Sequence, residues 1–371
     1  MAARAEDRVS AIAERNEDLG YPIVVAENIG ATMRTFLRQS GPPAVILCDA
    51  NRHVRAIADD LRSGTRNVAV LSFALGESRK RMTTVERVLD AMLTAGVERD
   101  GLVIGAGGGV ASDLFGFAAA TYMRGVRYAH IATSLLAMVD AAIGGKTGVD
   151  LRGGKNLAGC FRDPVAVFCP LEALATLSPA AFREGLAEIV KAAVIEGGEL
   201  FEQLEELAAH PLRWWPWSEV ISAAIKVKTM AVADDRLEAG TRATLNLGHT
   251  FAHAIERAAK YRIGHGVAVS IGLRAAGMLA LRTGRFSRDE HLRVLTLLTL
   301  LGLPLQTTLS ADAILVAMQA DKKKRGGRLR FVLPRAIGDV EYDVVCGERT
   351  VRAVLERLRR PPEAENVRAR R

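Results

Sequence analysis

The sequence is poor in cysteine, in aromatic residues and in long apolar runs. Its four cysteines, Cys48, Cys160, Cys169 and Cys346, form no CxxC pair and have no regular spacing. This argues against a disulfide framework and favours a reduced, cytoplasmic compartment. Aromatic residues are only 5% of the chain, and few lie among the lysines and arginines, so no nucleic-acid partner is expected. No membrane span or secretory signal is expected either, because the apolar runs are too short.

The length, composition and net charge indicate an ordinary globular protein with a small anionic ligand. A chain of 371 residues with 49% hydrophobic and 25% charged residues is expected to form two domains. Much of the net charge of +8 comes from DKKKRGGRLR at 321–330 and from the basic segment 357–371. We expect the positive charge to serve an anionic substrate, and we expect residues 359–371 to be a basic, disordered tail.

The apolar pattern changes its period near residue 178. Before it, β-branched runs at 44–48, 68–73, 102–105, 128–132 and 165–168 alternate with helix-sized segments. This predicts an α/β, Rossmann-like N-terminal domain with a parallel sheet over residues 1–177. After it, a period near 3.6 predicts an all-α C-terminal domain over residues 178–358.

A glycine-rich turn is the clearest nucleotide signal. The segment VIGAGGGVASDLFG, from residue 103, places Gly107, Gly108 and Gly109 between a strand and a helix expected to begin near Ala111. Consecutive glycines let backbone N–H groups approach a pyrophosphate. The motif is not a clean GxGxxG because Val110 occupies the third glycine position, so a tight turn without a ligand is an open alternative.

Polar residues follow or interrupt the other strands of this half. Asp49 directly follows the run at 44–48, at the end of the expected strand. At this position α/β sheets hold a carboxylate that accepts hydrogen bonds from ribose hydroxyls. LGESRK supplies Glu77 and Lys80 in a loop. The glycine-rich segment 133–159 is poorly explained by core packing, and its loops are expected to carry Lys146, Lys155 and Asn156.

A polar stripe crosses the helical half. Glu184, Glu188 and Lys191 share one helix face, which suits either a solvated surface or a cleft. Asn246, His249 and His253 are spaced by three and four residues, which predicts one helical face, with Arg242 one turn earlier. His265 is expected in a loop or at a helix start. A metal site of one glutamate and two histidines is one possibility, and ordinary helix surface is the other.

Six motifs in order resemble the 3-dehydroquinate synthases, which are sugar phosphate cyclases. They are GGGVASDLFGFAAATYMRG, TSLLAMVDAAIGGKTGVDLRGGKNLAG, REGLAEIVK, LNLGHTFAHAIE, HGVAVSIGL and DKKKRGGRLRFVLP, and the resemblance spans about residues 20–355. It implies that domain 1–177 binds NAD, that domain 178–358 binds metal and substrate, and that the enzyme is a cytoplasmic homodimer.

The resemblance also implies a role for each matching residue. The metal, Zn²⁺ or Co²⁺, would be held by Glu188, His249 and His265. NAD would be held by Asp49, Glu77, Lys80, Gly108, Gly109, Val110, Asp113, Thr133, Ser134, Asp140, Lys146, Lys155 and Thr176. The substrate would meet Arg124, Lys146, Asn156, Lys191, Lys228, Arg242, Asn246, His253 and Lys323 or Lys322, with Lys323 favoured. Lys146, Lys191, Arg242, Asn246 and His253 would be the catalytic residues.

The implied reaction is the second step of the shikimate route to chorismate and the aromatic amino acids. 3-Deoxy-D-arabino-heptulosonate 7-phosphate would be transiently oxidised by NAD, lose phosphate by β-elimination, be reduced again and close by an intramolecular aldol step. The enzyme would be a carbon–oxygen lyase with no net redox change. A sister cyclase such as aminodehydroquinate synthase, or a non-catalytic cofactor-binding homologue, is the alternative.

The sequence departs from the family pattern at three places. Residues 132–134 read Ala-Thr-Ser where Pro-Thr-Thr is usual, and Asp150 stands where asparagine is common. Val267 replaces a frequent glutamate two residues after His265. If that glutamate tunes the surroundings of the metal, its loss alters metal affinity.

Overall fold

The computed structural model describes residues 13–16, 19–40, 43–65, 68–238, 240–322 and 328–362. The chain forms two compact units. The first comprises Met1–Phe182 with Trp217–Ile225, and the second comprises Arg183–Pro216 with Lys226–Arg371. The domain boundary expected at residue 177 stays a prediction. Of the expected tail, residues 363–371 lie outside the described part of the chain.

The first unit alternates strands and helices. In chain order these are β1 (Ala13–Asn16), β2 (Tyr21–Ala26), α1 (Gly30–Ser40), β3 (Pro43–Asp49), α2 (Arg52–Ser63), β4 (Ala69–Phe73), α3 (Met82–Thr94), β5 (Leu102–Gly107), α4 (Gly109–Thr121), β6 (Arg127–Ala132), β7 (Lys146–Leu151), β8 (Gly154–Phe161) and β9 (Ala166–Pro170). The five apolar runs of the sequence correspond to β3, β4, β5, β6 and β9, within two residues at each end.

Seven of these strands form one sheet in the order β1-β2-β9-β6-β5-β3-β4. The six from β2 to β4 are parallel, and only the edge strand β1 is antiparallel to its neighbour. The predicted Rossmann-like domain with a parallel sheet is therefore confirmed.

Helices bury both faces of this sheet. Alternate residues of a strand point to opposite faces. Val45 and Leu47 of β3 pack in one cluster with Phe115 of α4, whereas Ile46 packs in a second cluster with Met33 of α1. Each fully buried side chain of this kind contributes about 1.5–3 kcal/mol. Burial on both faces explains why the strands read as continuous apolar runs instead of alternating ones.

The glycine-rich segment that was expected to form loops is a β-hairpin. β7 and β8 pair antiparallel, with Lys146 opposite Phe161 and Gly148 opposite Gly159. Gly159 must lack a side chain because an added Cβ would lie 2.1 Å from the Thr147 carbonyl oxygen. The glycines thus permit close strand pairing, and Lys146, Lys155 and Asn156 lie in strands and not in loops.

The chain after residue 178 is mainly helical, as the period of 3.6 predicts. Its elements are α5 (Pro179–Glu196), α6 (Gly198–Leu207), α7 (Trp217–Asp234), α8 (His249–Ala258), α9 (His265–Arg282), α10 (Arg288–Leu300), α11 (Ala311–Lys322), β10 (Arg330–Ala336), β11 (Asp339–Val345) and α12 (Glu348–Arg357). The antiparallel pair β10–β11 was not predicted. None of the described helices is both long enough and apolar enough to cross a membrane.

Two glycines allow α8 and α9 to approach closely. Gly248, which precedes α8, has a left-handed φ of 77°. A Cβ added to Gly272 of α9 would lie 2.4 Å from the Gly248 carbonyl oxygen. Any side chain at residue 272 would therefore push the two helices apart.

We predict that Gly272→Ala lowers the free energy of unfolding by about 1–3 kcal/mol, the usual cost of overpacking. Urea unfolding of both proteins measures this difference. Gly153→Ala is the matched control, because a Cβ at residue 153 meets only Leu157 Cδ1 at an ordinary 3.8 Å, and it should change stability by less than about 0.5 kcal/mol. Equal stability of Gly272→Ala and wild type would contradict the close helix contact.

Candidate functional site

In the first unit, the carboxyl ends of β3 and β5 lie side by side. Cys48 of β3 is paired with Ala106 of β5, so Asp49 and Gly107 end neighbouring strands. β3 also pairs with β4 on its other edge, so the chain passes from β3 to β4 on one side and then crosses back to β5 on the other. Such switch points in parallel sheets form the crevices where nucleotides bind.

The glycine turn at this point has no room for side chains. A Cβ would lie 2.4 Å from the Ala111 Cβ if added to Gly107, and 3.1 Å from Ser134 Oγ if added to Gly108. α4 begins at Gly109, two residues earlier than expected. The turn therefore offers bare backbone at the N-terminus of a long helix, an arrangement that suits a pyrophosphate.

A buried lysine connects three segments beside this turn. Lys80 is only 4% exposed and forms an ion pair with Asp113 of α4. Its Nζ also donates to Asn156 Oδ1 of β8 at 2.5 Å, and its carbonyl accepts from the Asp150 amide at 2.8 Å. Burial raises the pKa of Asp113 to about 6, although Lys80 opposes the rise. The Lys80 ammonium therefore helps to keep the Asp113 carboxylate ionised.

The hairpin is held by two further contacts. Asp150, which departs from the family pattern, accepts from the Asn156 amide at 2.8 Å. Asn156 has a positive φ of 54°, so this hydrogen bond supports a left-handed residue near the start of β8. Lys155 forms an ion pair with Glu77 at 2.7 Å. The structure thus brings together five of the residues implied for this unit: Glu77, Lys80, Asp113, Lys155 and Asn156.

The remaining residues implied for this unit are placed as follows. The Thr133 amide donates to the Gly107 carbonyl at 2.9 Å, and Ser134 Oγ accepts from the Ala137 amide at 3.2 Å. Val110 lies in the first turn of α4, Asp140 in a π-helical turn over Ala137–Ala141, and Lys146 at the start of β7. Among the described contacts, none joins Arg124 or Thr176 to the others; Thr176 Oγ1 donates to the Ala173 carbonyl at 2.7 Å.

In the second unit, Glu188, His249 and His265 each offer one donor atom, and these atoms lie within 4.8 Å of one another. Glu188 is in α5, whereas His249 and His265 are the first residues of α8 and α9. Glu188 Oε1 is 3.5 Å from His249 Nε2 and 3.1 Å from His265 Nε2. One carboxylate oxygen and two imidazole nitrogens are a donor set that suits Zn²⁺ or Co²⁺.

The three residues of this cluster differ in their protonation states. Burial opposes the charge of Glu188, but Lys191 and the two histidines prevail and hold its pKa well below the usual range. Burial and Lys191 lower the pKa of His249 to about 3, which keeps its ring neutral. Burial also disfavours charge on His265, but the neighbouring Glu188 and Glu256 carboxylates raise its pKa to about 10. An incoming cation would therefore displace one proton, from His265.

Each histidine has an oxygen at its other ring nitrogen. His249 Nδ1 is 3.2 Å from the Leu247 carbonyl oxygen, and His265 Nδ1 is 3.6 Å from Glu256 Oε1. Such partners favour a proton on Nδ1 and leave Nε2 as the donor to a metal. Gly266, next to His265, donates its amide to Glu184 Oε2 at 2.5 Å.

The predicted helical stripe of Asn246, His249 and His253 is wrong. Asn246 ends a 3₁₀ turn over Thr241–Asn246, Gly248 is left-handed, and α8 begins only at His249. Only His249 and His253 share a helix, with ring centroids 5.3 Å apart. Asn246 instead donates its side-chain amide to Glu238 Oε1 at 2.8 Å. The break arises because the chain turns at Gly248 to start a new helix.

The other residues implied to bind the substrate differ in how far they are buried. Lys191 is buried and pairs with Glu188. Arg242 is fully buried, and its Nη1 donates to the Arg236 carbonyl at 2.7 Å. Lys228 lies in α7 and is half-buried, whereas His253 is exposed. Lys322 is the last residue of α11, and Lys323 lies outside the described residues.

Three acidic residues beside the site have no role in the prediction from the sequence. Glu184 contacts the Gly266 amide, Glu238 accepts from Asn246, and Glu256 lies beside His265. Local signals existed for two of them. Glu184 precedes Glu188 by four residues on one helix face, and Glu256 follows His249 by two helical turns in HTFAHAIE.

Comparisons with known proteins agree with this geometry. A family model described as 3-dehydroquinate synthase N-terminal matches residues 70–184, and one described as 3-dehydroquinate synthase C-terminal matches residues 185–324. A 3-dehydroquinate synthase of Synechococcus sp. (strain CC9605) is 41% identical over 321 residues, which are 84% of this chain and 85% of the relative. One from Gloeobacter violaceus is 40% identical over 351 residues, 91% and 96% of the two chains.

A solved structure supports the same grouping. The 2-epi-5-epi-valiolone synthase of Streptomyces hygroscopicus subsp. jinggangensis 5008, with NAD⁺ and Zn²⁺ bound, aligns with a TM-score of 0.84 and 32% identity. The alignment covers 93% of this chain and 97% of that one. With two family models in register and relatives of about 40% identity over most of its length, the chain belongs to the 3-dehydroquinate synthase family.

Proposed function

We propose that the protein is a 3-dehydroquinate synthase, which converts 3-deoxy-D-arabino-heptulosonate 7-phosphate to 3-dehydroquinate and phosphate. The observation that carries the proposal is the meeting of Glu188, His249 and His265 in a chain of this family. The higher identity to relatives named 3-dehydroquinate synthase than to the valiolone synthase favours this substrate over a sister cyclase's. The cytoplasmic location, the homodimer and the absence of a nucleic-acid partner stay predictions.

The two cofactors fit the residues described. Glu188, His249 and His265 would hold Zn²⁺ or Co²⁺ through one carboxylate oxygen and two Nε2 atoms. The side-chain-free turn at Gly107–Gly109, with Asp49 beside it, would hold NAD. When bound, the metal supplies Lewis-acid polarisation of a substrate hydroxyl, and NAD supplies reversible hydride acceptance.

The remaining cations and polar groups suit an anionic sugar acid. Lys191 neutralises Glu188 and lies one helical turn from it, so it orients the carboxylate and holds a positive charge at the site. The Arg242 guanidinium, held by the Arg236 carbonyl, is a fixed fork for a carboxylate or phosphate. His253, exposed one turn after His249, can exchange protons with water and with substrate.

We predict that the purified enzyme, with NAD and zinc or cobalt, releases phosphate from 3-deoxy-D-arabino-heptulosonate 7-phosphate and forms a carbocycle without accumulating NADH. A panel that adds the amino analogue and sedoheptulose 7-phosphate separates the sister activities. Turnover of one of those alone would assign the chain to a sister cyclase. No turnover of any would indicate a non-catalytic homologue.

We predict that His253→Ala lowers kcat by about a hundredfold or more, the usual contribution of a group that transfers protons. His210→Ala is the matched control, because His210 is also an exposed histidine of the second unit. Its kcat should equal that of wild type. A His253→Ala enzyme with full kcat would remove this residue from the catalytic set.

We predict that His249→Ala lowers the metal content after dialysis from about one ion per chain to a small fraction of that, because one of the three donors found among the described residues is lost. Metal analysis of the purified proteins measures this, and His210→Ala should retain the wild-type content. An unchanged metal content in His249→Ala would refute the ligand assignment.

We predict that the affinity for Zn²⁺ rises with pH. His265 is protonated in the metal-free protein below its pKa of about 10, and the ion must displace that proton. Affinity should therefore increase up to about tenfold per pH unit between roughly pH 7 and pH 9. Competition with a chelator measures it, and a flat profile would contradict the protonated state of His265.

A further inference from the structure

Glu256 is an acidic residue beside the candidate metal site that has no role assigned above. Its carboxylate lies on the side of the His265 ring that faces away from Glu188: Oε1 is 3.6 Å from Nδ1, whereas Nε2 faces Glu188 at 3.1 Å. We propose that Glu256 is a positioning residue for the metal site, which fixes the His265 ring with its proton on Nδ1 and so aims Nε2 at the ion. This inference rests on the proposed function, because it presumes that the cluster binds metal.

His265 needs a partner of this kind more than His249 does. The Nδ1 of His249 lies 3.2 Å from the carbonyl oxygen of Leu247, two residues earlier, so the local backbone already orients that ring. The described neighbour of His265 Nδ1 is instead a side chain of another helix, because Glu256 is in α8 and His265 begins α9. The two rings are thus oriented by different means.

The backbone of His265 is fixed independently of its ring. Gly264 and Gly266 flank it, and a Cβ on either would come within 2.5 Å of Glu184. The Gly266 amide also donates to Glu184 Oε2. These contacts anchor the start of α9 on α5, but the rotation of the His265 side chain about its own bonds still has to be set. The Glu256 carboxylate on one side and Glu188 on the other set it.

The buried position of Glu256 requires polar partners. Glu256 is only 2% exposed, and a buried carboxylate is destabilising without a polar partner. It also lies in the last turn of α8, which ends at Ala258, where the helix dipole disfavours negative charge. Neither helix formation nor core packing favours glutamate at this position, and the His265 imidazole is one polar partner that compensates it.

This arrangement also bears on Val267. The carboxylate at His265 Nδ1 comes from α8, so the valine two residues after His265 does not leave that ring without an acidic neighbour. We therefore expect the metal site of this chain to depend on Glu256 in particular.

The test compares Glu256→Gln and Glu256→Leu with wild type. Zn²⁺ affinity is measured by competition with a chelator, and the visible absorption spectrum of the Co²⁺-loaded proteins reports the ligand geometry. We expect Glu256→Leu to weaken Zn²⁺ binding by about 10- to 100-fold, as is usual for a lost outer partner of a metal ligand, and to change the Co²⁺ spectrum. Glu256→Gln, which keeps an acceptor oxygen, should recover part of the affinity.

The controls separate a positioning role from a structural one. Glu341→Gln removes a carboxylate that pairs with Arg285 in the same unit and should leave both metal readouts unchanged. If Glu256→Leu does not fold, Glu256→Gln, which keeps the size of the side chain, provides the test. Wild-type affinity and an unchanged Co²⁺ spectrum in folded Glu256 variants would overturn this inference and leave the metal site standing. A wild-type protein that takes up neither ion would overturn both.

Discussion

The buried negative charge of Glu188 is the constraint around which the helical unit's site is built. A carboxylate that is 2% exposed costs several kcal/mol unless partners compensate it. Lys191 supplies a full positive charge from the same helix, and His249 and His265 direct ring nitrogens at the same oxygen. Lysine and carboxylate alone would already form a neutral pair. Two imidazoles directed at that carboxylate have little use in core packing, whereas a divalent cation would use both of them together with Glu188.

Close helix packing makes this convergence possible. The two histidines begin α8 and α9, and α9 reaches α8 only because Gly272 meets Gly248 without a side chain on either. In the same way Gly266 lets the start of α9 contact the backbone of Glu184 in α5. Residues at a helix start have fewer neighbours along their own helix, so their side chains can turn towards a shared point. The glycines therefore serve the site by geometry, although none of them carries a functional group.

The sheet and helices were largely predictable from the sequence, and the site was less so. Strands buried on both faces read as continuous apolar runs, whereas the glycine-rich β7–β8 hairpin has no such run. The stripe from Asn246 to His253 failed because NLGHT is compatible with a continuous helix, and the spacing does not reveal the left-handed turn at Gly248. Glu188 and His265 are 77 residues apart. No local pattern connects such residues, so their pairing came from family resemblance and not from periodicity.

The α/β unit also contains a buried charge that a partner compensates, and here the buried charge is positive. The buried ion is the Lys80 ammonium, which forms an ion pair with Asp113. Burial raises the pKa of Asp113 to about 6. Asp113 lies near the start of α4, directly after the glycine turn. An uncompensated carboxylate there would repel a pyrophosphate and cancel the positive end of the helix dipole. Paired with Lys80 it is neutral as a whole, so the helix N-terminus keeps the partial positive charge that favours an anion at Gly108 and Gly109.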